Sequence, residues 1–435
     1  MKLPSTPENP AISILPEKYP AWKKNDKRIA KMKKLKSGLI KLTLVQVLAV
    51  FFVFPYQGTA QESNFRTYLK NRLYAVGFKS VNLYDYSRNF NPGLDMDGNP
   101  ITEKARPVQT SIWYPVEREK VKDAQPMRYK EYIYLLSFEN GFGKLSGKRK
   151  KKALARFFKW LKTPEDKRKG QEALTSAFRD AEPAQGRFPL VVYGPSINSF
   201  SFENALLFEY LASWGYIVVS SPCTGRTSRR MTPDLMGVEA QARDMEFLMG
   251  YMHSFPNLDR ERTALMGLSW GGLANVLAAM RDGRVNAIVC LDGAICYPLG
   301  YEIIKKSIYY KPAHIKIPTL FLLSRDIPEE LFKKQGAKKP DTSFEFYDTL
   351  KNSTSYVFRF HHMVHRNFSS AFIRFRKRQP EYGELSQAEI DNSYSLMCKY
   401  TRTFLDAYLK GSAEALEFMK HSPGENDQVL MNREN

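Results

Sequence analysis

Residues 262–272 read RTALMGLSWGG, a short apolar run that turns through Gly267-Leu268-Ser269-Trp270-Gly271 into the small-residue segment LANVLAA at 273–279. Strand, tight turn and helix, with a serine at the apex, is the pattern of a nucleophile elbow. The turn is strained and crowded. Glycines two before and two after the serine are needed because neighbouring backbone leaves no room for a Cβ. The helix that begins behind Ser269 favours negative charge developing on that side.

The flanking sequence has the same α/β texture. FPLVVYG (188–194), GYIVVSS (215–221), VNAIVCLDG (285–293) and IPTLFLLS (317–324) are continuous apolar runs, of the kind buried on both faces of a parallel sheet. Between and after them, ENALLFEYLAS (203–213), VEAQARDMEFLMGYMH (238–253), 270–280 and 396–420 read as helices. Strands alternating with helices predict a mostly parallel central sheet with right-handed crossovers, flanked by helices. Residues 72–90 and 106–115 are β-rich and predict leading, antiparallel strands. No internal repeat is evident.

Residues 126–182 break this texture. Leu154, Phe157, Phe158 and Leu161 follow helical spacing, and the opposite face is almost all Lys and Arg. This predicts a basic helical insertion, a candidate lid. The chain has 435 residues and a formal net charge of +21, but residues 1–60 carry +8 of it and residues 141–170 carry +10. The body is close to neutral, and no aromatic-interleaved basic groove accompanies the insertion, so no nucleic-acid partner is expected. The insertion could instead meet an anionic membrane surface peripherally. Composition excludes a disordered chain, a collagen-like repeat and a disulfide-dense mini-protein.

From Met32 the chain shows a lysine-rich stretch, an apolar run at 42–54 and small residues Gly58 and Ala60 ahead of Gln61, the anatomy of a secretory signal peptide. The run falls short of the roughly 20 residues that span a bilayer. Residues 1–60 are therefore set apart as an N-terminal extension with a signal peptide within 32–60, which predicts an exported protein, periplasmic or secreted. Residues 61–435 are expected to form one α/β domain carrying the 126–182 insertion. The four cysteines are too scattered for a disulfide framework. Cys290–Cys296 is the local candidate for a bridge, although Cys290 reads as a buried strand residue.

A serine nucleophile needs a base to take its proton and a carboxylate to orient that base, in the chain order Ser, acid, His for this kind of elbow. Only His314, His361, His362, His365 and His421 follow Ser269. His314 precedes a strand and His421 lies in the terminal tail, which leaves FRFHHMVHRNF at 358–368. Asp292 and Asp326, each ending an apolar strand, compete for the acid, and the pattern alone does not choose between them. The three clustered histidines also have metal-like spacing, but no carboxylate interleaves them and a ready nucleophile lacks a base.

From about Asn71 to Lys420 the chain resembles the exported dienelactone-hydrolase and platelet-activating-factor acetylhydrolase group of α/β-hydrolases. The resemblance rests on WYP (113–115), FENALLFEYLASWGYIVVSSP (202–222), QARDMEFL (241–248), GLSWGG (267–272), LDG (291–293) and VHRNF (364–368). It implies an α/β-hydrolase fold and a triad of Ser269, Asp292 and His365. Asp326 holds the acid position of the dienelactone branch and stays as the alternative acid.

One departure stands out. The group often has His-Gly-x after its first core strand, with the N–H of x donating to the oxyanion. Here the run is Tyr193-Gly194-Pro195-Ser196, and proline has no N–H. The expected oxyanion donors are then the main-chain N–H groups of Trp270 and Ser196. The resulting expectation is an exported serine hydrolase cleaving carboxylic esters (short-acyl, lactone or phospholipid-like) through an acyl-enzyme, with no metal or organic cofactor. The rivals are a peptidase or acyltransferase on the same triad, and a catalytically silent relative that binds anionic surfaces.

Overall fold

The computed structural model describes residues 72–159, 161, 163–326, 329–330, 341, 343–374, 385–421 and 429–434. The signal-peptide reading falls on 32–60, outside the described residues. Among the described residues, no helix is long and apolar enough to cross a membrane.

Ten described strands form one sheet: β1 (Ala75–Asn89), β2 (Ala105–Val116), β3 (Ala177–Arg179), β4 (Phe188–Gly194), β5 (Ile217–Ser220), β6 (Leu258–Leu268), β7 (Ala287–Leu291), β8 (Thr319–Leu323), β9 (Ser355–Phe360) and β10 (Val429–Glu434). Their spatial order is β10-β9-β8-β7-β6-β4-β5-β2-β1-β3. The six strands from β5 to β9 in that order are parallel. β2 runs antiparallel to both β5 and β1, as the alternating 72–90 and 106–115 stretches predict. β10, which the sequence reading does not anticipate, pairs antiparallel with β9.

The helices are α1 (Tyr129–Ile133), α2 (Gly147–Phe157), α3 (Pro164–Glu172), α4 (Ala205–Ser213), α5 (Leu235–Met252), α6 (Trp270–Ala279), α7 (Pro298–Ile304), α8 (Ser370–Arg374), α9 (Gln387–Leu409) and α10 (Ala413–Lys420). All seven residues of β4 are buried, because helices cover the parallel sheet on both faces. Val191 and Tyr193 of β4 share a core with Phe208 of α4 and Phe404 of α9, and the Tyr193 and Phe208 rings lie 4.7 Å apart. Local chemistry sets the helix starts. Asp234 caps α5 by accepting from Gly237 N–H at 2.9 Å, and Ser386 with Glu389 forms a reciprocal capping box on α9. The four cysteines are buried, free thiols, so Cys290 and Cys296 are not bridged.

The insertion is less purely helical than its period suggests. Thr163-Pro164 breaks it, with Thr163 capping α3, and residues 177–179 return to the sheet as β3, parallel to β1. Its basic face is also partly consumed. Arg149 is buried and bonds Asp97 at 2.7 Å and also Asp95 in the 91–100 loop. Arg156 and Arg229 both pair with the buried Glu139, at 2.9 and 2.6 Å. Lys150 and Lys151 remain exposed. The apolar face seats the insertion on the domain: Phe157 lies 5.4 Å from Phe200, Phe200 stacks on Phe202 at 4.2 Å, and Arg374 lies over the Tyr129 ring.

A deeply buried guanidinium ties the antiparallel edge to the parallel core. Arg106 of β2 donates to both carboxylate oxygens of Asp244 on α5 (2.6 and 2.5 Å) and to the carbonyls of Thr224 and Gly225. Arg106→Met should destabilise the fold by about 3–5 kcal/mol, because it strands a buried carboxylate and two carbonyls. The remaining Arg88–Asp244 pair at 2.8 Å favours the lower end of that range. Urea unfolding midpoints check this, and a loss under about 1 kcal/mol would contradict the assignment.

Candidate active site

Ser269 sits where β6 turns into α6, with φ 56° and ψ −114°. That left-handed conformation is uncommon for a residue with a Cβ and marks the elbow anticipated from the glycine spacing. The crowding is real. A Cβ on Gly267 would collide with the Gly271 carbonyl, and one on Gly271 would collide with the Gly194 carbonyl. The elbow is therefore wedged directly against the end of β4.

The sheet places the acid beside the serine. β6 and β7 pair through Leu268 and Leu291, so Ser269 and Asp292 emerge from adjacent strand ends. Ser269 N–H donates to the Leu291 carbonyl at 3.1 Å, and Ala294 N–H donates to the Ser269 carbonyl at 2.7 Å. Asp292 itself has φ 43°, a second strained residue in the same layer.

The two carboxylates are placed differently. Asp292 is fully buried, and its Oδ2 lies 2.7 Å from His365 Nδ1. Asp326 instead points to Arg359, at 3.4 Å, with 58% of its side chain exposed. The other histidines are elsewhere: His362 faces Glu389 at 4.0 Å, His314 ends a 3-10 turn before β8, and His421 caps α10. His361, His362 and His365 thus do not converge, and among the described residues no group of three metal-ligating side chains gathers.

Two donors to Asp292 had no signature in the sequence. Tyr297 Oη donates to Oδ1 at 2.9 Å, and Ser324 N–H donates to the same oxygen at 2.9 Å. Burial pushes the Asp292 carboxyl up, but His365, Ser324 and Tyr297 together outweigh it and hold the carboxyl below its ordinary range. A depressed native pKa stabilises the fold above the unfolded value of about 3.9 and loses that contribution as pH falls through the native value. The stability advantage of the wild type over Asp292→Asn should therefore be full at pH 7 and shrink below about pH 4. Urea midpoints between pH 7 and 2 measure it, and a constant difference would contradict the shift.

His365 opens a 3-10 turn over His365–Phe368 whose shape its neighbours dictate. Val364 N–H donates to Asn367 Oδ1 at 2.8 Å, and Phe368 is buried against Phe360. The Val-His-x-Asn-Phe run is thus a self-capped turn anchored by an aromatic plug. His365 keeps 14% of its side chain exposed.

The oxyanion expectation needs one correction. Ser196 N–H already donates to Glu203 Oε2 at 2.9 Å, and the Ser196 hydroxyl bonds the other carboxylate oxygen. The Ser196 amide hydrogen is committed to Glu203. Trp270 N–H, at the first turn of α6, has no acceptor among the described residues.

The sheet order, the crossovers and the elbow at the end of β6 are those of the α/β-hydrolase fold. No protein-family model matches the chain, and no curated protein matches it. Solved structures do match. One is a ferulic acid esterase from Streptomyces cinnamoneus, with a TM-score of 0.57 and 20% identity, covering 87% of this chain and 100% of that one. At that identity the likeness speaks for the fold.

Proposed function

We propose that the protein is a serine hydrolase of carboxylic esters, in which Ser269 attacks the carbonyl, His365 carries the proton and Asp292 orients His365. The observation that carries this reading is the 2.7 Å bond between buried Asp292 and His365 Nδ1, one strand end away from a serine at a strained elbow. With Nδ1 bound to the carboxylate, Nε2 is the nitrogen left to accept the Ser269 proton. The serine oxygen bonds to the acyl carbon, the carbonyl electrons move onto oxygen, and collapse expels the alkoxide, which takes the proton from His365. Water, deprotonated by the same imidazole, then releases the acid and restores the serine.

Trp270 N–H is one oxyanion donor in this scheme. The second is the N–H of Ile197, the next amide on the turn after Ser196, which likewise has no acceptor among the described residues. The finer likeness to the dienelactone-hydrolase and platelet-activating-factor acetylhydrolase group, with its short-acyl, lactone or phospholipid-like substrates, rests on the motifs quoted above. The insertion is read as a lid because Phe157 and Tyr129 reach the turn after β4 and the segment after His365. Its exposed lysines suit anionic esters or an anionic membrane surface, and the leader-like segment suits an exported enzyme.

The test is labelling with a fluorophosphonate probe, mapped by peptide mass spectrometry, alongside turnover of p-nitrophenyl acetate. Modification at Ser269 together with ester turnover is the expected result. A chain that neither labels nor turns over would sink the reading in favour of a silent relative.

A further inference from the structure

The peptide between Pro195 and Ser196 is gripped from both sides. Its carbonyl accepts from Gln241 Nε2 at 2.7 Å, and its N–H donates to Glu203 Oε2 at 2.9 Å. Both side chains are buried, each with about 2% exposure. The plane lies against the nucleophile helix, since a Cβ on Gly271 would also come within 3.0 Å of the Pro195 carbonyl. Glu203 takes a further bond from Tyr193 Oη at 3.1 Å and one from the Ser196 hydroxyl.

The same helix start reaches the histidine segment. The Glu203 carbonyl accepts from the hydroxyls of Ser369 and Ser370, at 3.1 and 3.2 Å. Asn204 donates to the Phe368 carbonyl at 2.7 Å and accepts from Ser370 N–H at 3.0 Å. Residues 203–204 therefore join the turn beside Trp270 to the turn that carries His365.

We infer that Glu203 and Gln241 are positioning residues that lock the Pro195–Ser196 peptide plane, so that the turn after β4 meets the transition state in one fixed orientation. The inference rests on the serine-hydrolase reading. The physical need is specific to this chain: proline at 195 supplies no amide, so the turn must offer a later N–H, and a later N–H is useful only if the preceding peptide cannot rotate. A buried carboxylate is a costly way to stabilise a loop, whereas two acceptor oxygens on one rigid group fix an orientation that a single bond leaves free.

Glu203→Gln is the informative variant. Glutamine keeps the shape and one acceptor oxygen for the Ser196 N–H and the Tyr193 hydroxyl, while its NH2 donates to the Ser196 hydroxyl, so the fold is kept but the grip on the peptide N–H loses the strength of an ionised acceptor. Burial pushes the Glu203 carboxyl up, with the Ser196 and Tyr193 bonds offsetting part of that. A raised native pKa means that stability is fullest below the ordinary carboxylate pKa and is lost as pH rises through the native value, so the neutral isostere should not unfold the protein at pH 7.

The expected result for p-nitrophenyl acetate is a fall in kcat of about tenfold to a hundredfold with KM within about threefold, and a matching fall in the rate of fluorophosphonate labelling, while the unfolding midpoint is held or raised. Gln241→Met, which removes the donor to Pro195 at similar volume, should give the same split and carries the test if Glu203→Gln fails to fold. An active wild type with equally active variants, or variants that lose kcat only in step with thermal stability, would overturn the positioning role alone. An inert wild type would overturn the hydrolase reading and this inference with it.

Discussion

Ser269→Ala should lower kcat for a p-nitrophenyl ester by about 10⁶-fold and abolish fluorophosphonate labelling while leaving the fold intact. The size follows from what the serine does. Without its oxygen no acyl-enzyme forms, and the remaining groups supply only the modest rate that preorganised donors give to attack by water. The fold should survive because Ser269 is bound to its surroundings through main-chain groups: its N–H meets the Leu291 carbonyl, and its carbonyl accepts from Gly272 and Ala294. Alanine at φ 56° meets the strain that serine already meets there. Circular dichroism and a thermal melt check the fold, and labelling at a second residue in the variant would remove Ser269 from its role.

Asp292→Asn is the second large effect. Asparagine is nearly isosteric and its one oxygen can still accept from Tyr297 and Ser324, but its amide N–H then faces His365 Nδ1. That favours the wrong imidazole tautomer, with the proton on the nitrogen that must face the serine, and it removes the charge that stabilises the imidazolium. Loss of this kind costs about 10⁴-fold in kcat with little change in KM. Asp326→Asn should leave kcat within about threefold, since the Asp326 side chain is largely exposed and pairs with Arg359. Steady-state kinetics on the two variants decide the acid, and a larger loss in Asp326→Asn would reverse the assignment.

The elements that bury apolar runs on both faces were legible from the unbroken order of apolar residues. FPLVVYG becomes β4 and IPTLFLLS becomes β8 because nothing but a helix-covered parallel strand buries such stretches. The elbow was legible because its glycines answer a local steric demand. The acid was not, since both candidates end a strand and only register decides which side chain reaches the imidazole. Glu203 and Gln241 lie in stretches quoted for the resemblance, yet their role was not legible for a related reason. The partners that give them meaning lie up to 167 residues away in the chain. The basic helix misled in one respect. Arg149 is counted among its surface cations, yet it is spent on Asp95 and Asp97 of a loop that precedes it by about fifty residues. β10 was missed because pairing with β9, and no internal pattern, makes residues 429–434 a strand.

The glycine contacts among β4, α6 and the start of the segment after β7 carry a lesson for altering what the protein acts on. Where main chain touches main chain, no side-chain vocabulary exists, so mutation there can only break the machine. Variation has to enter at the periphery, and the helical insertion meets the turn after β4 through side chains alone, with Phe157 packed on Phe200 at 5.4 Å. Under the proposed hydrolase reading, replacing the exposed Lys150 and Lys151 would alter the outer face while leaving every one of those main-chain contacts intact.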